Sequence, residues 1–374
     1  MRLTRTSHRY AVVCACLAAA LAAFTSGAVP AGAAGAPVAK ATCLPIFYPR
    51  VGAAADSVAR PHGPGLILMG GSTDVDAAFR WMRRTIAGTG SGGVGDVVVL
   101  RATGDNDYDA YIYGLARFNS VRTILLPPCS TPADIAKAAS VVDRAEGVFF
   151  GGGDQADYVI WKKTPLAAAV QRLYDRGGVV GGTSAGLAIL GQYVFDAVAG
   201  DRTHDVHTPD AVADPYEPAI SFTEDLFDFP PLRGTITDTH FAARDRLGRL
   251  GAFMAVLVAS HRVPGDRIKG IGVQERSALV VDPTGWATLL LQGSGGRVLL
   301  LQGGKARQVV KGKPLVTSPI DAVLLDRAGQ RFDLKHWCGD GKRYEIVVNG
   351  THTPMYVPAD PYFAPRTSTP AVCE

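Results

Sequence analysis

Three clusters in this 374-residue sequence combine residue types and spacing suited to acyl transfer. The first is Gly177-Gly178-Val179-Val180-Gly181-Gly182-Thr183-Ser184-Ala185-Gly186, a serine between a short apolar strand and the run Leu187–Phe195, which reads as a helix. A side chain on a sharp strand-to-helix turn stands clear of the backbone. Glycines two before and two after it, Gly182 and Gly186, remove the Cβ atoms that would clash there. The same turn sets the hydroxyl at a helix N-terminus, where backbone N–H groups favour developing negative charge. Gly-rich turns of this form also cradle phosphates, so the serine alone does not decide the chemistry.

The second cluster, Phe149-Phe150-Gly151-Gly152-Gly153-Asp154-Gln155, closes the preceding strand. In open α/β sheets ligands bind at that carboxyl edge. An N–H from Gly152 or Gly153 joined to that of Ala185 would make an oxyanion hole. The third cluster runs from Asp238 to Leu250 and places His240 where a strand ends and a helix begins. It supplies a general base for Ser184. Arg244 precedes that helix, and Arg246 and Arg249, three apart, share one face of it. Clustered guanidiniums call for anions, which predicts a carboxylate-bearing substrate, unless Asp238 and Asp245 absorb the charge as surface partners. A base of this kind also needs a carboxylate to fix its tautomer. Glu275, in a charged interruption between two apolar strands, is the first candidate and Asp201 the alternative. His204 and His207 flank Asp205 without a fixed scaffold, so no metal is expected, and no cofactor motif stands out.

These groups need a rigid frame. Strand-like runs at Leu66–Met69, Asp96–Leu100, Val121–Leu126, Gly147–Phe150 and Val179–Val180 alternate with helical patterns such as Ala77–Ile86 and Ile135–Ala145. That order predicts an α/β fold with a mostly parallel sheet and helices on both faces, the strands being apolar throughout. From Asp201 to Gly234 apolar periodicity is lost, which reads as a long loop or lid. Regularity returns with a strand over Thr235–Thr239, a helix over Arg246–His261 and strands at Ile271–Val273 and Ala278–Val281. After Pro283, runs at Trp286–Leu291, Arg297–Gln302, Ala322–Leu325 and Tyr344–Val348 follow with no helix between them, which predicts antiparallel strands. The expected organisation is a signal peptide over 1–35, an extension over 36–60, an α/β catalytic domain over 61–283 and a β-rich extension over 284–374 packed upon it.

The signal peptide rests on Arg2, Arg5 and Arg9, an apolar run over 11–24 and Ala-rich sequence to about Ala36. Its apolar run is short for a membrane span, and Cys14 and Cys16 lie inside it, which argues against a lipoprotein. An exported protein free of the membrane is expected, with an uncleaved anchor as the alternative. Lys and Arg number 38 against 34 acids, a net +4, and neither nucleic acid nor an anionic membrane is expected as partner. Cys43, Cys129, Cys338 and Cys373 remain after export and allow two disulfides in any of three pairings.

Taken together the motifs resemble the cyanophycinase and peptidase E family of serine peptidases, relatives of the class I glutamine amidotransferase fold. The resemblance covers about residues 60–335 and lies in Gly-Gly-Thr-Ser-Ala-Gly around Ser184, Gly-Gly-Asp-Gln from Gly152 to Gln155, the Asp238–Leu250 run and the segment ending at Glu275. It implies Ser184 as nucleophile, His240 as base and Glu275 as acid, with Gln155, Asp238, Thr239, Arg244, Arg246 and Arg249 contacting substrate. It implies no cofactor and a homodimer. The implied substrate is cyanophycin, a polyaspartate bearing arginine on its side chains, or another aspartyl-containing peptide. Thr239 stands where the family more often has glutamine. The alternatives are an Asp-specific exopeptidase of the peptidase E type and an inactive binding relative.

Overall fold

The short apolar runs become the centre of a sheet because both of their faces are covered. In the computed structural model, which describes residues 44–88, 94–199 and 205–373, five of them pair in parallel: β1 (Gly65–Met69), β2 (Asp96–Arg101), β3 (Ser120–Leu125), β4 (Gly147–Phe150) and β5 (Val179–Thr183), in the spatial order β3-β2-β4-β5-β1. Leu66 and Leu68 of β1 face one core while Ile67 and Met69 face another, so alternation along the strand leaves no polar side. The helices α1 (Asp76–Ala87) and α2 (Asp107–Ala116) cover one face; α3 (Pro132–Val142) and α4 (Pro165–Asp175) cover part of the other. The fold is α/β with a mostly parallel central sheet, as the run order predicts.

The run Leu187–Phe195 departs from the expected helix. Only α5 (Ala185–Ala188) is helical, and Tyr193–Phe195 forms the strand β6. Gly191 interrupts the run, and the β-branched and aromatic residues after it pack better extended, with Tyr193 paired to Ile236. One turn of helix makes only a small dipole, so the expected dipole support for Ser184 shrinks to single N–H groups.

A second sheet begins with β6. It contains β7 (Thr235–Asp238), parallel to β6 and to β8 (Lys269–Val273), and packs beneath the helix α7 (Leu247–Ala259). Between β7 and β8 only the crossover α7 intervenes. The strand β9 (Ser277–Val281) then returns to the first sheet, antiparallel to β1. The strands after Pro283 divide between the sheets. Of these, β10 (Trp286–Leu291) pairs with β9, whereas β11 (Val298–Gln302), β12 (Ile320–Leu325) and β13 (Lys342–Val348) extend the second sheet antiparallel from β8. Leu300 and Val323 of one sheet meet Leu279 and Leu289 of the other in a shared core.

The segment expected as a loop carries the short helix α6 (Thr208–Ala213) and a strand at Phe222–Glu224; Asp201 and His204 lie outside the described residues. A disulfide joins Cys338 to Cys373 and closes the tail onto β13, against which Thr369–Pro370 pairs. Cys129 is also disulfide-bonded, and Cys43 lies outside the described residues. Among the described residues no helix is long and apolar enough to cross a membrane.

Candidate active site

Register brings the chemistry together. Met69 lies opposite Thr183 and Phe150 opposite Gly182, so β1, β4 and β5 deliver their following residues to one edge. Ser184 follows β5 with φ 53° and ψ −122°, a conformation rarely tolerated by a residue with a Cβ. The tight packing that forces it is visible at the flanking glycines. A Cβ on Gly182 would overlap the backbone of Gly186, and one on Gly186 would overlap the carbonyls of Phe150 and Gly151.

The Ser184 hydroxyl lies 2.8 Å from Nε2 of His240, and Nδ1 of the same ring lies 2.7 Å from Oε1 of Glu275. With the proton on Nδ1 directed at Glu275, Nε2 is free to accept from the serine. His240 also has positive φ, 48°. Its backbone N–H donates to the carbonyl of Gly70 at 2.8 Å, while the N–H of Ser184 donates to that of Met69 at 3.2 Å. Gly71 completes the clamp: φ is 99°, and a Cβ there would stand 2.5 Å from Cε1 and Nε2 of His240. Gly70 and Gly71 escaped the sequence reading, although a glycine pair closing an apolar strand is the same signal that singles out Gly151 and Gly152.

Burial lowers the His240 pKa below the ordinary imidazole value; the Arg244 and Arg246 charges act in the same direction, and the hydrogen bond to Glu275 opposes them. The ring is thereby kept neutral and able to accept a proton. Gly152 packs against Ser184, where a Cβ would lie 3.5 Å from the serine Cβ. The hydroxyl of Tyr158 holds this turn by donating to the Gly151 carbonyl at 2.9 Å. Among the described residues the backbone N–H groups of Gly152, Gly153 and Ala185 meet no protein acceptor.

A cavity of about 260 Å³ opens in front of the serine. Gly153, Gln155, Ser184 and Ala185 form one wall, and Asp238, Thr239, Arg244, Arg246 and Arg249 another. The three arginines are not equivalent. Arg249 is 2% exposed and grips Asp238 with two parallel bonds, Nε to Oδ2 at 2.8 Å and Nη2 to Oδ1 at 2.7 Å. Its Nη1 reaches Asp205 Oδ1 at 2.8 Å, and its guanidinium lies over the Phe195 and Phe253 rings. Arg246 meets Asp205 Oδ2 at 2.6 Å and donates to Thr239. Burial disfavours the Asp205 carboxylate, yet the two arginines together hold its pKa below the ordinary value. Arg246 and Arg249 thus spend their donors on the protein's own acids, Asp205 among them, which the sequence offered only as a neighbour of two histidines. Asp245 is no partner to any of them. Arg244 is exposed, and its side chain meets no acid among the described residues.

Replacing Gly71 with alanine puts a methyl group into the space of the His240 ring at an unfavourable φ. A shift of about 1 Å in a reacting group costs about 100-fold, so Gly71→Ala is expected to slow fluorophosphonate labelling of Ser184 by about that factor. Circular dichroism should show a folded protein. Labelling at the parental rate would remove Gly71 from the set of positioning residues.

No protein-family model matches the sequence. It is 31% identical over 156 residues to a cyanophycinase of Trichormus variabilis, covering 41% of this chain and 45% of that protein. A cyanophycinase of Synechococcus elongatus is 24% identical over 173 residues, 46% of this chain and 47% of the relative. The chain therefore spans just under half the length of the curated relatives it matches. Among solved structures, the crystal structure of a peptidase from an acI-B1 actinobacterium aligns over 73% of this chain and 98% of that one, at 15% identity and a TM-score of 0.45. In sequence the chain is thus similar to the cyanophycinases over less than half of its length.

Proposed function

We propose that this chain is a serine peptidase that hydrolyses the aspartyl backbone of cyanophycin, with Ser184, His240 and Glu275 as its triad. The observation that carries the reading is the unbroken relay of 2.8 Å and 2.7 Å from Ser184 through His240 to Glu275. In the acylation step Ser184 Oγ attacks the aspartyl carbonyl and its proton passes to Nε2 of His240. Glu275 stabilises the resulting imidazolium. The carbonyl oxygen, now an anion, is received by the N–H groups of Gly152 or Gly153 and of Ala185. His240 then returns the proton to the leaving amine, and water resolves the acyl-enzyme by the same path.

Arg244, whose side chain meets no acid among the described residues, is the group available to hold a substrate carboxylate. Asp154, beside Gln155 and in ion-pair contact with no arginine among the described residues, suits a cationic substrate side chain, and Gln155 adds a neutral hydrogen-bonding group. A cavity of about 260 Å³ also suits short aspartyl peptides, the second reading. Export is part of the proposal, supported by the N-terminal run and by the Cys338–Cys373 disulfide, a bond that persists in oxidising compartments. Incubation with cyanophycin and, separately, with a panel of Asp-Xaa peptides, followed by product analysis, decides between the readings. Hydrolysis of neither overturns both.

Ser184→Ala should reduce turnover by about 10⁴- to 10⁶-fold with the melting temperature preserved. Glu275→Gln, which favours the wrong imidazole tautomer, should cost about 10⁴-fold. A fully active Glu275→Gln enzyme moves the acid elsewhere. The pH profile follows from His240. Its pKa is lowered, so the neutral base survives further into acid than an ordinary histidine, and kcat/KM should fall only below about pH 6.5. An acid limb centred above that value contradicts the assignment. At Arg244, loss of a charge-assisted hydrogen bond predicts a drop of about 10- to 150-fold in kcat/KM for Arg244→Ala with little change in stability. Arg244→Lys should recover part of it. Parental kinetics in both variants would show that the substrate carboxylate is held elsewhere.

A further inference from the structure

The helix that carries Arg249 and follows the His240 turn has no cap of its own. Arg246 occupies the N-cap position of α7, and its side chain makes no cap bond. Buried N–H groups at a helix start need acceptors, and three hydroxyls from distant chain segments supply them. The N–H of Leu247 donates to the hydroxyl oxygen of Tyr362 at 3.0 Å, that of Gly248 to Tyr356 at 3.2 Å and that of Arg249 to Thr208 at 3.1 Å. The hydroxyls then converge on one residue. Tyr356 and Tyr362 donate to the same carboxylate oxygen, Oδ1 of Asp245, at 2.8 and 2.7 Å, and Thr208 donates to the Asp245 carbonyl. Asp245 sits at φ 45°, between Arg244 and Arg246.

The tyrosines belong to the tail, 108 and 115 residues beyond the N–H groups they accept from. The Tyr362 ring meets the Phe241 ring edge-on at 5.8 Å, and its carbonyl accepts from Arg297 at 2.8 Å. Burial and the Asp245 charge push both phenol pKa values far up, so the hydroxyls keep their protons throughout the working range. The base His240 has independent support from Gly70 and Glu275, and the start of the following turn is held by Gln274, whose Oε1 accepts from the N–H groups of Ala242 and Ala243 at 2.8 and 2.9 Å; at its far end the side chain of Asp245 is held by the two tyrosine hydroxyls.

We propose that the C-terminal tail is a positioning element of the site: Tyr356 and Tyr362, by capping α7 and fixing Asp245, hold the turn that presents Arg244 to the cavity. Neither tyrosine touches substrate. The role in substrate binding rests on the peptidase reading above; the cap itself does not.

The test uses the full chain with Tyr356→Phe, Tyr362→Phe and both together, which keep the rings and remove the hydroxyls. Amide hydrogen exchange is measured from Arg244 to Gly248, alongside KM and kcat on an Asp-Xaa peptide and the rate of fluorophosphonate labelling of Ser184. The double variant should exchange about tenfold faster at these amides and raise KM about tenfold, while kcat and labelling change less than about twofold. A tail that only stabilises the fold predicts unchanged KM in the folded enzyme, and that result overturns the proposal. So does parental exchange from Arg244 to Gly248. Asp245→Asn, whose Oδ1 still accepts both hydroxyls, should behave as the parent, and Asp245→Ala as the double variant. If the double variant does not fold, each single variant is read by the same criteria. A parent that neither takes the probe nor cleaves any aspartyl peptide overturns the peptidase reading, and the exchange rates still decide the cap.

Discussion

Two consecutive carbonyl groups at the end of one buried strand govern this structure. Met69 accepts from the backbone of Ser184 and Gly70 from that of His240, residues that lie 56 positions apart and belong to different sheets. The pair works because β1 is central, with β5 parallel on one side and β9 antiparallel on the other. A further bond from the N–H of Gly70 to the carbonyl of Ser277 fixes the pair to β9, which follows Glu275 by two residues. The three members of the relay are thus referred to a single point in the backbone. Ser184 and His240 both occupy positive φ, and such conformations persist only where the surroundings over-determine them.

The buried charge beside this point follows a different logic. Asp238 ends β7 two residues before the histidine, and Arg249 meets it from inside α7. Two arginines and two aspartates compensate one another, with Asp238, Arg246 and Arg249 buried and Asp205 exposed at the cavity. Such an arrangement contributes little net stability over an apolar one, but the loss of Asp238 or Arg249, the buried pair, costs about 3–5 kcal/mol because it strands the other. Its value lies in geometry: Asp205 is tied to α7 and the cavity wall gains a fixed pattern of donors and acceptors. Arg244 is distinguished from its neighbours by its place on the turn before the helix, outside the reach of these acids.

Much of this was legible in the sequence, and the rest was hidden for identifiable reasons. Runs such as Val97–Leu100 are apolar on both faces, which announces a covered parallel strand whatever its neighbours, and the glycines about Ser184 announce a sharp turn. Glu275 could be singled out because a charge between two apolar strands needs a purpose. The second sheet was not legible, since nothing local in Thr235–Asp238 or Lys269–Val273 says which strands they will pair with. Tyr193–Phe195 carries as many apolar residues as a helix would, and only its partner Ile236 decides the matter. Asp205 and the tyrosines of the tail act through pairings across 41 to 117 residues, a separation at which spacing carries no information.

The shared hydroxyl cap on α7 ties the site to the order in which the chain is made. Ser184, His240 and Glu275 are all synthesised before residue 276, and the parallel sheet is complete by Thr183. The acceptors for Leu247 and Gly248 arrive only with Tyr356 and Tyr362, some eighty residues after the last of the three. Contacts so distant in sequence form late, because their loop-closure entropy is met only after the intervening segments have folded. A nascent chain, or one clipped before Tyr356, therefore contains the whole relay without the finished turn beside it. The edge of the cavity that bears Arg244 is the last part of it to be finished.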